Sequence, residues 1–279
     1  MKLSQARFAL LLLTVLVTSS GCGVINRIRA KNELNEAART YREGHFAEAE
    51  QHSRRAMELD PNNKTAPSFV ARTIHAQYKP GNDDPENVNR AREAISAYKE
   101  MLAKDPSNDE AYKAIAALYG AINEDEQQRQ WIMQRAGKEG FAPAKRAEAY
   151  TVLASKDWNC SYQITELPAS KTVTPQGKIV YKKPANQSDY DNAQKCVARG
   201  MEEADNAIKY DPNNESAWSY KTNLLLESAK LAEMDGKNED KDKFTKQANE
   251  AQNKTTQLSE ENQKKKAAEE QKSPSSPTS

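Results

Sequence analysis

AEAEQHSRRAMELDPNN, residues 47–63, sets small apolar residues at helical spacing and then stops the helix at Asp60-Pro61. The pattern returns as AISAYKEMLAKDPSND, residues 94–109, and as ADNAIKYDPNNE, residues 204–215. Each copy closes on Asp-Pro and a polar pair able to start the next helix. A helix that ends and restarts in the same phase along a chain marks an array of stacked helical hairpins.

With Pro61 at position 32 of a 34-residue frame, Ala37 falls at 8, Gly44 at 15, Phe46 at 17, Ala49 at 20 and Ala56 at 27. These positions resemble the tetratricopeptide (TPR) family, in which small residues let two antiparallel helices approach and larger ones fill the adjacent gap. Glu33, Thr40 and Ser53 depart from the pattern, since they stand where aromatics are usual. Gly44 suits a tight turn needing positive φ.

The second repeat starts at Lys64, with Val70, Ala71, Ile74, Ala94 and Tyr98 in register before Pro106. Its extra residues fall in KPGNDDPEN, residues 79–87, which reads as a loop. The third starts at Asp109 with Tyr112, Ile115, Ala116 and Tyr119, and its second half around Trp131 and Met133 is degenerate. A fourth begins at Ala147 and resumes with Ala204 and Ala207 before Pro212, and a fifth opens with Ala217 and Trp218. The resemblance covers residues 31–234 and implies an all-α TPR superhelix, an α-solenoid of about 4–5 helical hairpins.

The 279 residues are 37% hydrophobic, and the mean hydropathy of −0.94 fits a thin two-helix layer with polar flanks. Removing residues 1–21, which hold Lys2 and Arg7 and no acid, takes the net charge from +1 to −1. That balance argues against nucleic acid as a partner. Residues 1–21 have the anatomy of a signal peptide, with a ten-residue apolar run from Phe8 to Val17 that is short for a membrane span. Gly21-Cys22 resembles the bacterial lipobox, although Ser19 stands where Leu is usual. The resemblance implies that Cys22 is lipidated and that residues 22–30 tether the array. Gly23 after the cysteine implies delivery to the outer membrane, facing the periplasm. An ordinary cleaved signal and an uncleaved anchor are the other readings of this segment.

Export makes a bridge between Cys160 and Cys196 reasonable, with two buried thiols as the alternative. No metal site is expected, because His45, His52 and His75 show no ligand spacing with either cysteine. Between the cysteines, within an insertion at 159–190 of the fourth repeat, Lys171–Thr174 and Lys178–Lys182 flank Pro175-Gln176-Gly177 and read as a β-hairpin. It offers a strand edge to a partner or caps the array. Beyond Gly236, the spacing of Phe244, Ala248, Ala251 and Leu258 predicts a long helix at 235–267 that packs on the fifth repeat. The Ser/Pro-rich residues 268–279 read as a disordered tail.

Nothing in the sequence matches a nucleophile elbow, a phosphate cradle, a Rossmann glycine pattern or a zinc-protease helix, so neither catalysis nor a cofactor is expected. The TPR resemblance instead implies a concave groove, carried here by Tyr41, Arg42, Arg72, His75, Lys113, Trp158, Asn159 and Asn223. Trp158 reads more readily as buried beneath the inserted hairpin. The asparagine-and-lysine clamp that some TPR domains use for terminal carboxylates is missing. The reading is a non-catalytic scaffold for protein partners in the cell envelope, held to the membrane by lipid, with no small-molecule substrate. Two alternatives stand beside it: a dedicated subunit of an outer-membrane assembly, secretion or pilus machine, and a ligand- or glycan-binding enzyme accessory.

Overall fold

The computed structural model describes residues 23–272, so the signal segment and Cys22 lie outside the described residues. The chain divides into two compact units, residues 1–131 and 132–279, with the division inside one helix.

The N-terminal unit is built from α1 (residues 23–42), α2 (Phe46–Leu59), α3 (Ala66–His75), α4 (Pro85–Lys104), α5 (Asp109–Ala121) and the start of α6 (Asp125–Gly137). Consecutive helices pack as antiparallel hairpins, and the alanines of the repeat frame lie at their seams: Ala37, Ala49, Ala56, Ala71 and Ala94 are fully buried. The positions that break the aromatic pattern are still interior. Thr40 donates to the Glu36 carbonyl at 2.9 Å and Ser53 to the Ala49 carbonyl at 2.7 Å, so each buried hydroxyl is satisfied by its own helix. At the third, Glu33 reaches across the hairpin to His52 Nδ1 at 2.7 Å.

The Asp-Pro-x-Asn signature acts as a stop and a start. Asn63, Asn108 and Asn214 accept hydrogen bonds from the backbone N–H of Ala66, Ala111 and Ala217, which closes the first turn of the next helix. Gly44 makes its turn at φ +82°, and Asn123 holds the same place in the third repeat at φ +58°. The half-repeat read as degenerate is helical: Trp131 stacks on Tyr112 at 5.3 Å and donates its Nε1–H to the Tyr112 carbonyl.

The C-terminal unit holds α7 (Pro143–Thr165), a 3₁₀ turn (Pro168–Ser170), β1 (Lys171–Val173), β2 (Ile179–Tyr181), α8 (Gln187–Tyr210), α9 (Glu215–Met234) and α10 (Asn238–Lys272). α7 and α8 form the fourth hairpin, α9 and α10 the fifth, and α9 also packs on both α7 and α8. Gly200, on α8 at position 20 of its repeat, allows a close approach: a Cβ there would sit 2.7 Å from a Leu224 methyl and 3.1 Å from Asp157 Cβ.

Three expected boundaries are corrected. Residues 23–30, expected as a tether outside the array, are helical and continuous with α1, because the run has no breaker and Ala30 packs against Ala56 and Ala66. The insertion is narrower than 159–190. Ser161 and Thr165 on α7, and Tyr190 and Ala193 on α8, continue the buried stripe, so both helices run past the cysteines and only residues 166–186 leave helical form. Cys160 and Cys196 are bonded, with Cα atoms 6.1 Å apart, and they lie within α7 and α8. Finally, α10 continues past 267 to Lys272, since KKKAAEEQK holds only good helix formers up to Pro274. Its predicted face is buried at Ala248, Ala251 and Leu258.

Candidate functional site

Four of the groove residues come together in the N-terminal unit. α1 supplies Tyr41 and Arg42, and α3 supplies Arg72 and His75. They line two clefts of about 370 and 160 Å³ that share Tyr41 and Arg72. The larger is completed by Tyr78 and Pro80 from the α3–α4 loop and by Tyr98 from α4.

The loop is held in shape locally. Asn87 bonds to both backbone groups of Lys79, at 2.8 and 2.9 Å, and donates to the Asn82 carbonyl. Tyr78 donates to the Ala121 carbonyl at 3.0 Å, which fixes the wall of the cleft on α5. Asp84 caps α4 by accepting from the Glu86 N–H, so helix begins at Pro85, earlier than the expected end of the loop.

Inside the cleft, His75 Nδ1 and Tyr98 Oη are 3.2 Å apart with their rings edge to face. Burial lowers the His75 pKa and pushes Tyr98 up to about 12, so both groups are neutral at neutral pH. The Arg72 guanidinium lies 5.7 Å from the Tyr41 ring centroid, and Tyr41 leans on Phe46 at 5.2 Å.

Arg39, Arg54, Arg55, Arg90 and Arg92 of the same unit each pair with a glutamate. Arg42 and Arg72 are exposed and have no carboxylate partner among the described residues. Two uncompensated guanidinium groups beside flat aromatic walls and a neutral hydrogen-bonding pair can hold carboxylates and apolar side chains of an extended polypeptide.

The remaining groove candidates do not join this cluster. Lys113 bends to the acids of its own helix, 3.5 Å from Asp109 and 3.9 Å from Glu110. Trp158 is half-buried, and its ring partners are Tyr162 and Tyr220, over Ala154, Ala204 and Leu224. Helices rather than the inserted hairpin therefore supply its described neighbours. Asn159 is exposed and Asn223 half-buried, both in the C-terminal unit. Tyr78, Pro80 and Tyr98 were not among the sequence candidates. Tyr98 reads from its spacing as core, and a loop of Pro, Gly and Asn gives no sign of which residue it turns inward.

The C-terminal unit carries a second polar cluster. Glu227, 1% exposed, accepts from Ser161 at 2.8 Å, Thr165 at 2.7 Å and Lys230 at 2.6 Å. Lys230 also bonds Glu166, as do Lys171 of β1 and Tyr181 of β2. Burial opposes the ionisation of Glu166, but these three donors outweigh it and hold its pKa down at about 2. Lys183, just past β2, pairs with Asp235 at 2.7 Å; with Tyr190 and Lys237 it keeps that carboxyl at about 2. These contacts clamp the β-hairpin to the helices.

No protein-family model matches the sequence, and no curated protein sequence matches it either. Among solved structures, the chain is similar to a MamA RS-1 double mutant at 15% identity and a TM-score of 0.44, covering 84% of this chain and 96% of that one. It is also similar to a tetratricopeptide repeat protein from Parabacteroides merdae, at 13% identity and a TM-score of 0.34, covering 82% and 97%. The TPR2AB domain of yeast Sti1, solved in complex with pHSP90, follows at 17% identity and 0.33, covering 82% and 96%. Superpositions this loose carry no argument about function.

Proposed function

We propose that the protein is a non-catalytic scaffold that grips partner polypeptides, held at the bacterial envelope by a lipid on Cys22. The observation that carries the reading is the pair of adjoining clefts on α1, α3 and α4, which share Tyr41 and Arg72: one adds His75 and Tyr98, the other Arg42, and neither arginine has a carboxylate partner among the described residues. The preferred ligand is an extended segment that brings acidic and apolar side chains together. Anchoring rests on the sequence before residue 23, and no described helix is long and apolar enough to cross a membrane. The outer membrane, facing the periplasm, is the proposed site because Gly23 follows the cysteine.

Affinity capture from detergent-solubilised envelopes tests this, comparing the wild type with the Tyr41→Ala/Arg72→Ala double variant. A polypeptide recovered in stoichiometric amount with the wild type and lost with the variant is the expected result. The same set of polypeptides with both proteins would refute the cleft.

A further inference from the structure

The β-hairpin of the C-terminal unit is fixed at its base yet presents an open edge. The Cys160–Cys196 bond, the Glu166 bonds to Lys171 and Tyr181, and the Lys183–Asp235 pair hold it in place. β2 lies against α9, which leaves β1 as the outer strand.

The ladder shows which groups face outward. Thr174 N–H bonds to the Lys178 carbonyl at 2.8 Å, and Lys182 N–H to the Ser170 carbonyl at 3.0 Å. Bonded pairs alternate along an antiparallel ladder, so Thr172 and Val180 form the bonded pair between them. Lys171 and Val173 therefore turn their backbone groups away from β2. The Lys171 N–H is taken by the Pro168 carbonyl, whereas the N–H and C=O of Val173 meet no protein partner among the described residues.

The side chains around this edge have a consistent character. Val173 faces Ile179 across the ladder, so the two share one side of the hairpin, and they are 65% and 49% exposed. Residues 168–186 contain Lys171, Lys178, Lys182 and Lys183 and no acid. Lys178 and Lys182 have no carboxylate partner among the described residues.

We infer that the outer edge of β1 receives an extended acidic segment of a partner polypeptide as a third strand. The open Val173 backbone pair bonds to the incoming chain, the Val173–Ile179 shelf takes its alternate apolar side chains, and Lys178 and Lys182 face its carboxylates. Side chains alternate along a strand, so Lys178 and Lys182 lie on the face opposite the Val173–Ile179 pair. An anionic lipid surface would meet one face or the other and leave the open backbone groups unused, whereas an extended chain at the edge presents alternate side chains to both, which is why a polypeptide is the occupant. This surface belongs to the C-terminal unit, and the inference does not rest on the cleft of the N-terminal unit.

The probe is a seven-residue peptide of alternating Glu and Val, added to the full mature protein labelled with ¹⁵N. Saturable binding with slowed hydrogen exchange at the Val173 amide is expected. Val173→Pro removes only an outward N–H, since the ladder bonds run through Thr172 and Thr174, and it is expected to weaken binding about tenfold. A peptide N-methylated at alternate amides should fail on the wild-type protein, which guards against a variant that disturbs the hairpin itself. Peptide binding that survives both changes, or no binding at millimolar peptide, overturns the inference. So does binding to phosphatidylglycerol vesicles in place of the peptide.

Discussion

Arg72 is exposed and lies beside the Tyr41 ring, and its loss should separate binding from folding. Its contact with Tyr41 is a single cation–π approach at 5.7 Å, worth about 0.5–1 kcal/mol at an exposed site. Arg72→Ala is therefore expected to leave thermal unfolding nearly unchanged while partner capture falls by at least tenfold. A circular-dichroism melt run beside the capture assay checks both halves. At this scale the sequence was legible where a residue's type states its job. Asn63, Asn108 and Asn214 repeat in register and cap in register. It was less legible where a small polar residue replaces a large one. Thr40 and Ser53 look like departures from the repeat, yet both are wholly buried because the helix itself absorbs their hydroxyls. The Tyr98 hydroxyl was missed for a related reason: spacing assigns its ring to the core and says nothing of where the Oη ends.

Among the elements, the α8–α9 contact and the β-hairpin are the most exposed to test. Gly200→Val drives a branched side chain against Leu224 and Asp157, and overpacking of this kind costs about 1–3 kcal/mol. Urea unfolding should show the loss as a lower midpoint. The hairpin should be acid-sensitive. Glu166 and Asp235 have ordinary values of 4.5 and 3.8, and both are held at about 2 in the fold. Folded values below unfolded ones mean that the clamp is fully present above about pH 4.5 and is lost as pH falls towards 2. Faster amide exchange at Val180 and Lys182 over that range, before helical circular dichroism declines, is the expected result. Reduction of Cys160–Cys196 acts on the same segment. A cross-link between residues 36 apart stabilises by about 3–4 kcal/mol in the chain-entropy model, less any native strain. The α7–α8 seam does not depend on it, so dithiothreitol should loosen the hairpin first. Simultaneous loss of every helix in the C-terminal unit would contradict this. Element type was readable in the repeats, from their helical spacing, and in the hairpin, from its Val/Ile/Thr-rich runs, but not at residues 23–30 or 268–272, which are helical. The helix ends near the cysteines were not, because Ser161, Thr165 and Tyr190 carry a buried stripe in residues too polar to signal one.

For the molecule as a whole, the repeat signature carried the architecture, since each hairpin needs only its neighbours to bury its alanines. Composition could not separate the two units or show that only four of eight groove candidates gather in the two adjoining clefts. Lys113 is drawn off by acids one turn away, and Trp158 by the aromatic rings of α7 and α9. Anchoring has its own test. Each acyl methylene contributes about 0.8 kcal/mol to membrane attachment, so Cys22→Ser should release processed protein from the membrane fraction. Tight attachment of that variant after signal removal would contradict a lipid anchor. The central claim, that the cleft of the N-terminal unit grips a polypeptide, is tested most directly by site-specific photo-cross-linking in intact cells. A benzoylphenylalanine at position 72 should capture one discrete polypeptide, and the same probe at position 55, on the exposed face of α2, should not. No adduct from position 72, or the same adducts from both positions, would contradict it.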